Sequence, residues 1–140
     1  MSVSCFVDTN ILVYAHDRSA GKKHHNAQEL LSELWRDRTA AISTQVLQEL
    51  YVNIRRKAGQ PLSTADARSL IADYLRWDVI VNTGESILDA MEIEARYGIS
   101  FWDALIVQAA SASGAQVLYS EDLADGQAYG TVRVVNPLRN

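Results

Sequence analysis

A single cysteine, Cys5, in 140 residues leaves no partner for an internal disulfide. Its place in an apolar run marks it as a buried small hydrophobe. No apolar run approaches the length needed to span a bilayer. The start, Met1-Ser2-Val3-Ser4-Cys5, lacks the basic stretch and apolar run of a secretory signal, so the cytoplasm is the expected compartment. Internal repeats, low-complexity tracts and linkers are also missing. Residues 1–140 are therefore expected to form a single domain, long enough to bury roughly two-thirds of the unfolded chain's surface. The absence of Gly-x-Gly-x-x-Gly and of a Gly-Lys-Ser/Thr loop disfavours dinucleotide and P-loop enzymes. Cysteine and histidine spacings typical of a zinc site are absent. His16, His24 and His25 have no serine or cysteine beside them in a nucleophile motif, and the His24-His25 pair is expected on a solvated surface.

Basic charge is scarce as well. The formal net charge of −4 argues against a generic nucleic-acid binder. The average hides an asymmetry: residues 1–76 hold ten Lys/Arg against eight Asp/Glu, and residues 77–140 hold three against nine. Clusters such as Arg55-Arg56-Lys57 and Lys22-Lys23-His24-His25 could meet phosphates. Solvated helix surfaces account for each cluster equally well when it is taken alone. An acidic excess is also what a metal-binding carboxylate pocket would contribute to.

What is present is an alternation of short apolar strands with amphipathic helices. Val3–Val7 reads as a central strand ending at Asp8, followed by a short helix over Ile11–Tyr14 capped by Asp8, Thr9 or Asn10. Leu30, Leu31, Leu34 and Trp35 give residues 24–37 helical spacing. Ala40–Ile42 is a short strand. Thr44–Ala58 is a helix with Val46, Leu47, Leu50, Tyr51 and Ile54 on one face and Gly59 as its stop. Thr64–Arg76 is expected as helix, Asp78–Val81 as strand, and 85–97 and 101–112 as helices stopped by Gly98 and near Gly114. Gln116–Tyr119 and Val132–Val135 complete the strands. Such alternation predicts an α/β fold with a parallel sheet and helices on both faces. Ligands then sit at the carboxyl ends of the strands.

The acidic residues fall near those ends. Asp8 closes the first strand. Asp122, in Ser120-Glu121-Asp122, follows Gln116–Tyr119. Asp103 sits in the first turn of the helix that begins near Phe101. Glu49 lies off the apolar face of its helix, flanked by Gln45 and Asn53 at i−4 and i+4. Each has a structural explanation when taken singly. Asp8 could cap a helix, Ser100-Phe101-Trp102-Asp103 has the form of a capping box with Asp for Glu, Glu49 could be solvated, and Asp122 or Asp125 could serve a turn.

Taken jointly, the blocks Val7-Asp8-Thr9-Asn10-Ile11-Leu12-Val13-Tyr14, Ser43-Thr44-Gln45-Val46-Leu47-Gln48-Glu49-Leu50-Tyr51, Ser100-Phe101-Trp102-Asp103-Ala104-Leu105-Ile106 and Leu118-Tyr119-Ser120-Glu121-Asp122-Leu123 resemble PIN-domain proteins. The likeness extends specifically to VapC-type toxins of toxin–antitoxin pairs and covers nearly the whole chain. It implies a three-layer α/β/α fold with a central parallel sheet, and catalytic, metal-binding roles for Asp8, Glu49, Asp103 and Asp122. Asn10 and Ser120 would support the carboxylates. Asp125 is a weaker candidate, and Glu121 competes with Asp122 for the inward position.

Four close carboxylates repel one another, and divalent cations relieve that repulsion. All-oxygen ligation favours one or two Mg²⁺ or Mn²⁺ ions. A cation-held water can attack a phosphodiester. The resemblance implies endonucleolytic RNA cleavage leaving a 5′-phosphate and a 3′-hydroxyl, a homodimer, and inhibition by a cognate antitoxin. An antitoxin arginine pairing with Asp8 or Asp103 would block the site. Arg55, Arg56 and Lys57 are candidate RNA contacts. Trp35, Tyr51 and Trp102 could line an antitoxin groove, with burial in the chain's own core the expected fate of each. Two other functions compete. A Mg²⁺-binding phospho-acceptor signalling domain also gathers aspartates, but it needs a late strand-end lysine and the last lysine here is Lys57. A catalytically silent PIN-like RNA-binding module is disfavoured by the intact acids.

Overall fold

A computed structural model describes residues 2–56 and 61–139. Its strands are β1 (Cys5–Val7), β2 (Ala40–Ser43), β3 (Asp78–Ile80), β4 (Val117–Tyr119), β5 (Ala128–Tyr129) and β6 (Val132–Val135). Its helices are α1 (Thr9–Ala15), α2 (Lys22–Asp37), α3 (Thr44–Arg56), α4 (Thr64–Tyr74), α5 (Gly84–Tyr97) and α6 (Phe101–Ala112). The strands form one sheet in the order β3-β2-β1-β4-β6-β5. All pairings are parallel except β5 with β6. The α/β/α reading of the sequence holds.

Central position explains why β1 and β2 lack alternation. Every residue of both is buried, because helices cover both faces of a parallel sheet. Phe6, Val7, Ile42 and Leu118 join Ile11, Leu12, Val46 and Leu50 in one continuous core. Side-chain caps start several helices. Ser63 accepts from the Asp66 N–H at α4, and Thr83 and Ser86 form a reciprocal capping box at α5. Gly98 closes α5 with φ +67°, the left-handed conformation that glycine adopts without steric cost.

Several boundaries differ from expectation. β1 starts at Cys5, where the register with β2 begins opposite Ala40, the Ser4 and Cys5 N–H groups sharing the Thr39 carbonyl just before it. The helix expected to reach Arg76 ends at Tyr74, where the N–H groups of Arg76 and Trp77 fold back onto Asp73 and Tyr74 carbonyls. Gly59, the expected stop of α3, lies outside the described residues. Two elements are additional: a 3₁₀ turn at Arg18–Ala20 and the edge strand β5. The aromatic residues expected in the core are a clear correction. Trp102 is 64% exposed and Tyr51 39%, because α6 and α3 bury the opposite faces of their helices, through Leu105 and Ile106 and through Leu50 and Ile54. Trp35, 36% exposed, packs its ring 5.2 Å from Trp77.

The strand order fixes where a ligand can sit. From β1 the chain steps outward to β2 and β3, then returns to add β4 on the other side of β1. Connections leaving β1 and β4 therefore diverge to opposite sides and open a crevice at their carboxyl ends. Asp8 follows β1, and Ser120-Glu121-Asp122 follows β4.

Candidate active site

Asp8 is buried at this switch point, with 5% of its surface exposed. Its backbone N–H donates to Tyr119 O at 2.9 Å, continuing the β1–β4 ladder by one residue. Its carboxylate meets three donors. Oδ1 accepts from Thr9 N at 2.7 Å, which caps α1. Oδ2 accepts from Ser120 Oγ at 2.8 Å and, more weakly, from Asn10 Nδ2 at 3.5 Å. The capping explanation therefore holds, and it occupies only one of the two carboxylate oxygens. Despite these donors, burial pushes the Asp8 carboxyl up to about 7, with the charges of Asp122 and Glu49 adding to the effect.

Glu49 is brought in from α3, which begins directly at the end of β2. The start of that helix is held by Asn82, whose Oδ1 accepts from Thr44 Oγ1 at 3.0 Å and from Gln45 N at 3.2 Å. Thr9 Oγ1 donates to Glu49 Oε1 at 2.6 Å, and Gln45 Nε2 donates to Glu49 Oε2 at 3.4 Å. Asn53, the other expected flank, turns its Nδ2 to the Glu49 backbone carbonyl at 2.8 Å instead. The same Gln45 amide reaches Trp102 O at 3.3 Å and ties α3 to the first turn of α6. Asp103 stands in that turn, half-buried, with its N–H capped by Ser100 Oγ at 3.1 Å. Its charge acts on Tyr129, whose hydroxyl it helps to push up after burial.

Asp8, Glu49 and Asp122 are therefore electrostatic neighbours. Asp103 occupies the same edge but makes no hydrogen bond or ion pair with the other three among the described residues. Asp122 is exposed and its N–H donates to Ser120 Oγ at 3.2 Å. Ser120 is wholly buried and is the hub of this loop, since it also accepts from Leu123 N at 3.4 Å. Glu49 and Asp122 line a cleft of about 650 Å³ with Thr9, Asn10, Tyr14, Asp17 and Glu121. Asp125 serves the chain terminus: its Oδ1 accepts from Asn136 N at 2.9 Å and its Oδ2 pairs with Arg139 at 3.1 Å. Arg55 and Arg56 are exposed near the end of α3, and Arg55 donates to Leu62 O at 3.2 Å. Lys57 lies outside the described residues. Thr9 is a supporting residue that the sequence reading did not assign, although it stands inside the Asp8-Thr9-Asn10 triplet, and Gln45 is the flank of Glu49 that the i−4 spacing points to.

Among the described residues, no three His, Cys, Asp or Glu side chains are close enough to hold a metal ion by themselves. The donor chemistry nevertheless fits a hard divalent cation. Asp8 is desolvated beside two further carboxylates, with no basic side chain paired to it among the described residues. Mg²⁺ is commonly held by one or two carboxylates while keeping several waters. Asp8 with Glu49 or Asp122 meets that requirement.

Ser120→Ala is expected to destabilise the protein by about 2–3 kcal/mol, since it strands the Asp122 and Leu123 N–H groups and removes a donor from Asp8. Losing that donor raises the Asp8 carboxyl further, so the destabilisation should grow as pH rises. Urea unfolding at pH 5 and pH 8 checks this. Equal losses at both would detach Ser120 from the Asp8 charge.

Comparison with known proteins agrees with the geometry. The profile of the PIN domain matches residues 5–124. A search of curated protein sequences gives no match. Among solved structures, Mycobacterium tuberculosis VapC20, described as a sarcin-ricin loop cleaving toxin, is 24% identical with a TM-score of 0.65, covering 85% of this chain and 90% of that one. A toxin–antitoxin complex from Klebsiella pneumoniae is 18% identical with a TM-score of 0.69, covering 96% and 98%. VapBC2 from Rickettsia felis, bound to a DNA fragment from its promoter, is 22% identical with a TM-score of 0.64, covering 94% and 97%. At such identities the likeness is one of fold.

Proposed function

The chain belongs to the PIN-domain family, and from that premise we propose that it is a Mg²⁺- or Mn²⁺-dependent endoribonuclease serving as the toxin of a toxin–antitoxin pair. The observation that carries this reading is the desolvated Asp8 at the sheet's switch point, flanked by Glu49 and Asp122. A lone capping aspartate needs no such neighbours. One or two divalent cations, held by Asp8 with Glu49, Asp122 and Asp103 as further ligands, would supply charge neutralisation and an activated water for attack on phosphorus.

The chain's own residues supply the rest. Thr9 and Gln45 fix both oxygens of Glu49, so that carboxylate is oriented before substrate arrives. Ser120 holds Asp8 against the loop that carries Asp122, coupling the two acids' positions. Asn10 also ties Asp8 to that loop, donating to Asp8 Oδ2 and accepting from Glu121 N at 3.2 Å. Arg55, Arg56 and Lys57 remain candidate contacts for RNA leaving the cleft. Val81, Ile87, Leu88, Met91 and Trp102 are exposed and offer apolar surface of the kind a homodimer would bury. A cognate antitoxin, with an arginine directed at Asp8 or Asp103, completes the reading. The groove between α3 and α4 at Tyr51, Ile71 and Leu75 is apolar surface suited to its tail.

The test is direct. Purified protein with Mg²⁺ or Mn²⁺ should cleave RNA to 5′-phosphate ends, mapped by sequencing, and excess EDTA should abolish cleavage. Full activity in EDTA would eliminate the metal mechanism. Growth arrest on expression, reversed by the adjacent small gene, tests the toxin role separately. Harmless expression of an active nuclease would remove that role alone.

A further inference from the structure

The cleft beside Asp8 has a charge problem if its substrate is RNA. Asp17, Glu49, Glu121 and Asp122 all line it, and among the described residues no lysine or arginine does. A nucleic-acid strand brings one negative charge per nucleotide and is normally met by cations along its path. Metal ions at Asp8 would answer for the phosphate under attack. The neighbouring phosphates need another partner.

A cation is held at the rim. Lys23, in the first turn of α2, places Nζ 2.6 Å from Glu121 Oε2. Its ammonium also lies 5.1 Å from the centroid of the Tyr14 ring. The Tyr14 hydroxyl donates to the other oxygen, Glu121 Oε1, at 3.0 Å. Both oxygens of Glu121 are thereby engaged, while the adjacent Asp122 has no ion pair among the described residues. The Lys23 side chain retains 47% of its exposure, against 23% for Glu121. The carboxylate is the sheltered member, and the ammonium still faces solvent at the cleft mouth.

We propose that Lys23 is a substrate-binding residue, with its ammonium transferring from Glu121 to a backbone phosphate of RNA entering the cleft. Tyr14 lines the cleft at the same point, and its ring and hydroxyl help to hold the Lys23–Glu121 pair there. Glu121 is then a positioning residue: it holds the lysine at the rim and yields it to the more exposed phosphate anion. The arrangement also assigns the adjacent acids different tasks, Asp122 to the cation and Glu121 to the lysine. A purely structural ion pair would pin the loop after β4 to α2 and contribute little. The two roles predict different responses of RNA affinity.

This inference rests on the nuclease reading, and the experiment separates the two. Binding of a fluorescein-labelled single-stranded oligoribonucleotide is measured by anisotropy in a Ca²⁺ buffer for wild type, Lys23→Gln, Glu121→Gln, the double variant and Lys23→Arg. Lys23→Gln should weaken binding about tenfold and lower the slope of log K against log salt by about 0.7, the value for one single-strand phosphate. Lys23→Arg should restore most of the affinity. Glu121→Gln should tighten binding by freeing the lysine, and this gain should vanish in the Lys23→Gln background. Unchanged affinity and slope in Lys23→Gln would overturn the proposal. So would an equal gain from Glu121→Gln in both backgrounds, because Glu121 would then act only as a repulsive charge. Cleavage by wild type in Mg²⁺ reports on the other reading: Lys23-dependent binding without cleavage would remove the nuclease, and cleavage with Lys23-independent binding would remove this inference alone.

Discussion

Asp8→Asn is expected to lower RNA cleavage by about 10²–10³-fold, the scale seen when a preorganised group acting on the reacting charge is lost. The substitution removes the charge that would hold the cation, but it is not a silent isostere. The substituted amide keeps one oxygen, which can still accept from Thr9 N and preserve the α1 cap now made at 2.7 Å. Its nitrogen then faces Ser120 Oγ, which already accepts from the Asp122 and Leu123 N–H groups. A hydroxyl has two acceptor sites, so a third donor finds none, and the Ser120 proton loses its own acceptor. Loop disturbance therefore accompanies charge loss. Ser120→Ala separates the two effects. It disturbs the same loop while keeping at position 8 a carboxyl that a cation can hold in its ionised form, and it should cost about tenfold in rate or less. Cleavage by purified Asp8→Asn near the wild-type rate would show that Asp8 does not hold the reaction centre. Comparable losses in both variants would assign the effect to loop geometry.

How much of this was visible beforehand follows from the range of each interaction. The parallel sheet was legible because Val3–Val7, Ala40–Ile42 and Gln116–Tyr119 are short apolar runs separated by helical periodicity. β5 was not. It has two residues, Ala128 and Tyr129, and exists through antiparallel pairing with β6 across Gly130, whose φ of +61° closes the turn. Its signal is tertiary, not local. The four acids were legible by type and order. Of what they lean on, only Asn10 and Ser120 come with the family resemblance; the other partners do not, because Thr9 meets Glu49 across 40 residues and Tyr14 meets Glu121 across 107. No periodicity encodes which polar side chain will face which across a crevice. The choice of Asp122 over Glu121 rests on the family block alone for the same reason, since Lys23 arrives from a different helix. Hydrophobicity also misplaced Trp102 and Tyr51. It reports that a side chain is apolar, and only packing decides whether the domain itself covers it.

The second large effect is a pH-dependent loss of stability in the metal-free protein. In the unfolded chain the Asp8 carboxyl titrates near its ordinary value of 3.8; in the fold it is raised to about 7. A group raised on folding favours the native state in its protonated form. Its contribution is therefore fully present below about pH 3.8 and is lost as pH rises through 7. The difference of about 3 pH units sets an upper limit near 4 kcal/mol, since one unit corresponds to about 1.4 kcal/mol. About two of those units lie between pH 5 and pH 8.5, at most about 3 kcal/mol, which for a chain of this size is a fall in melting temperature of roughly 10 °C in EDTA. A cation bound to the ionised carboxylate changes the balance, because it favours the charged form that burial opposes and stabilises the native state by mass action. Millimolar Mg²⁺ or Mn²⁺ should thus restore most of the loss at pH 8.5 and do little at pH 5, where Asp8 is protonated. Asp8→Asn removes the titrating group, so its melting temperature should vary less with pH in EDTA and respond weakly to either ion. Thermal unfolding of the two proteins at three pH values, with and without the ion, measures all of this. If the wild type is as stable in EDTA at pH 8.5 as at pH 5, the charge on Asp8 is already compensated within the chain. The case for a cation at the switch point would then fall with it.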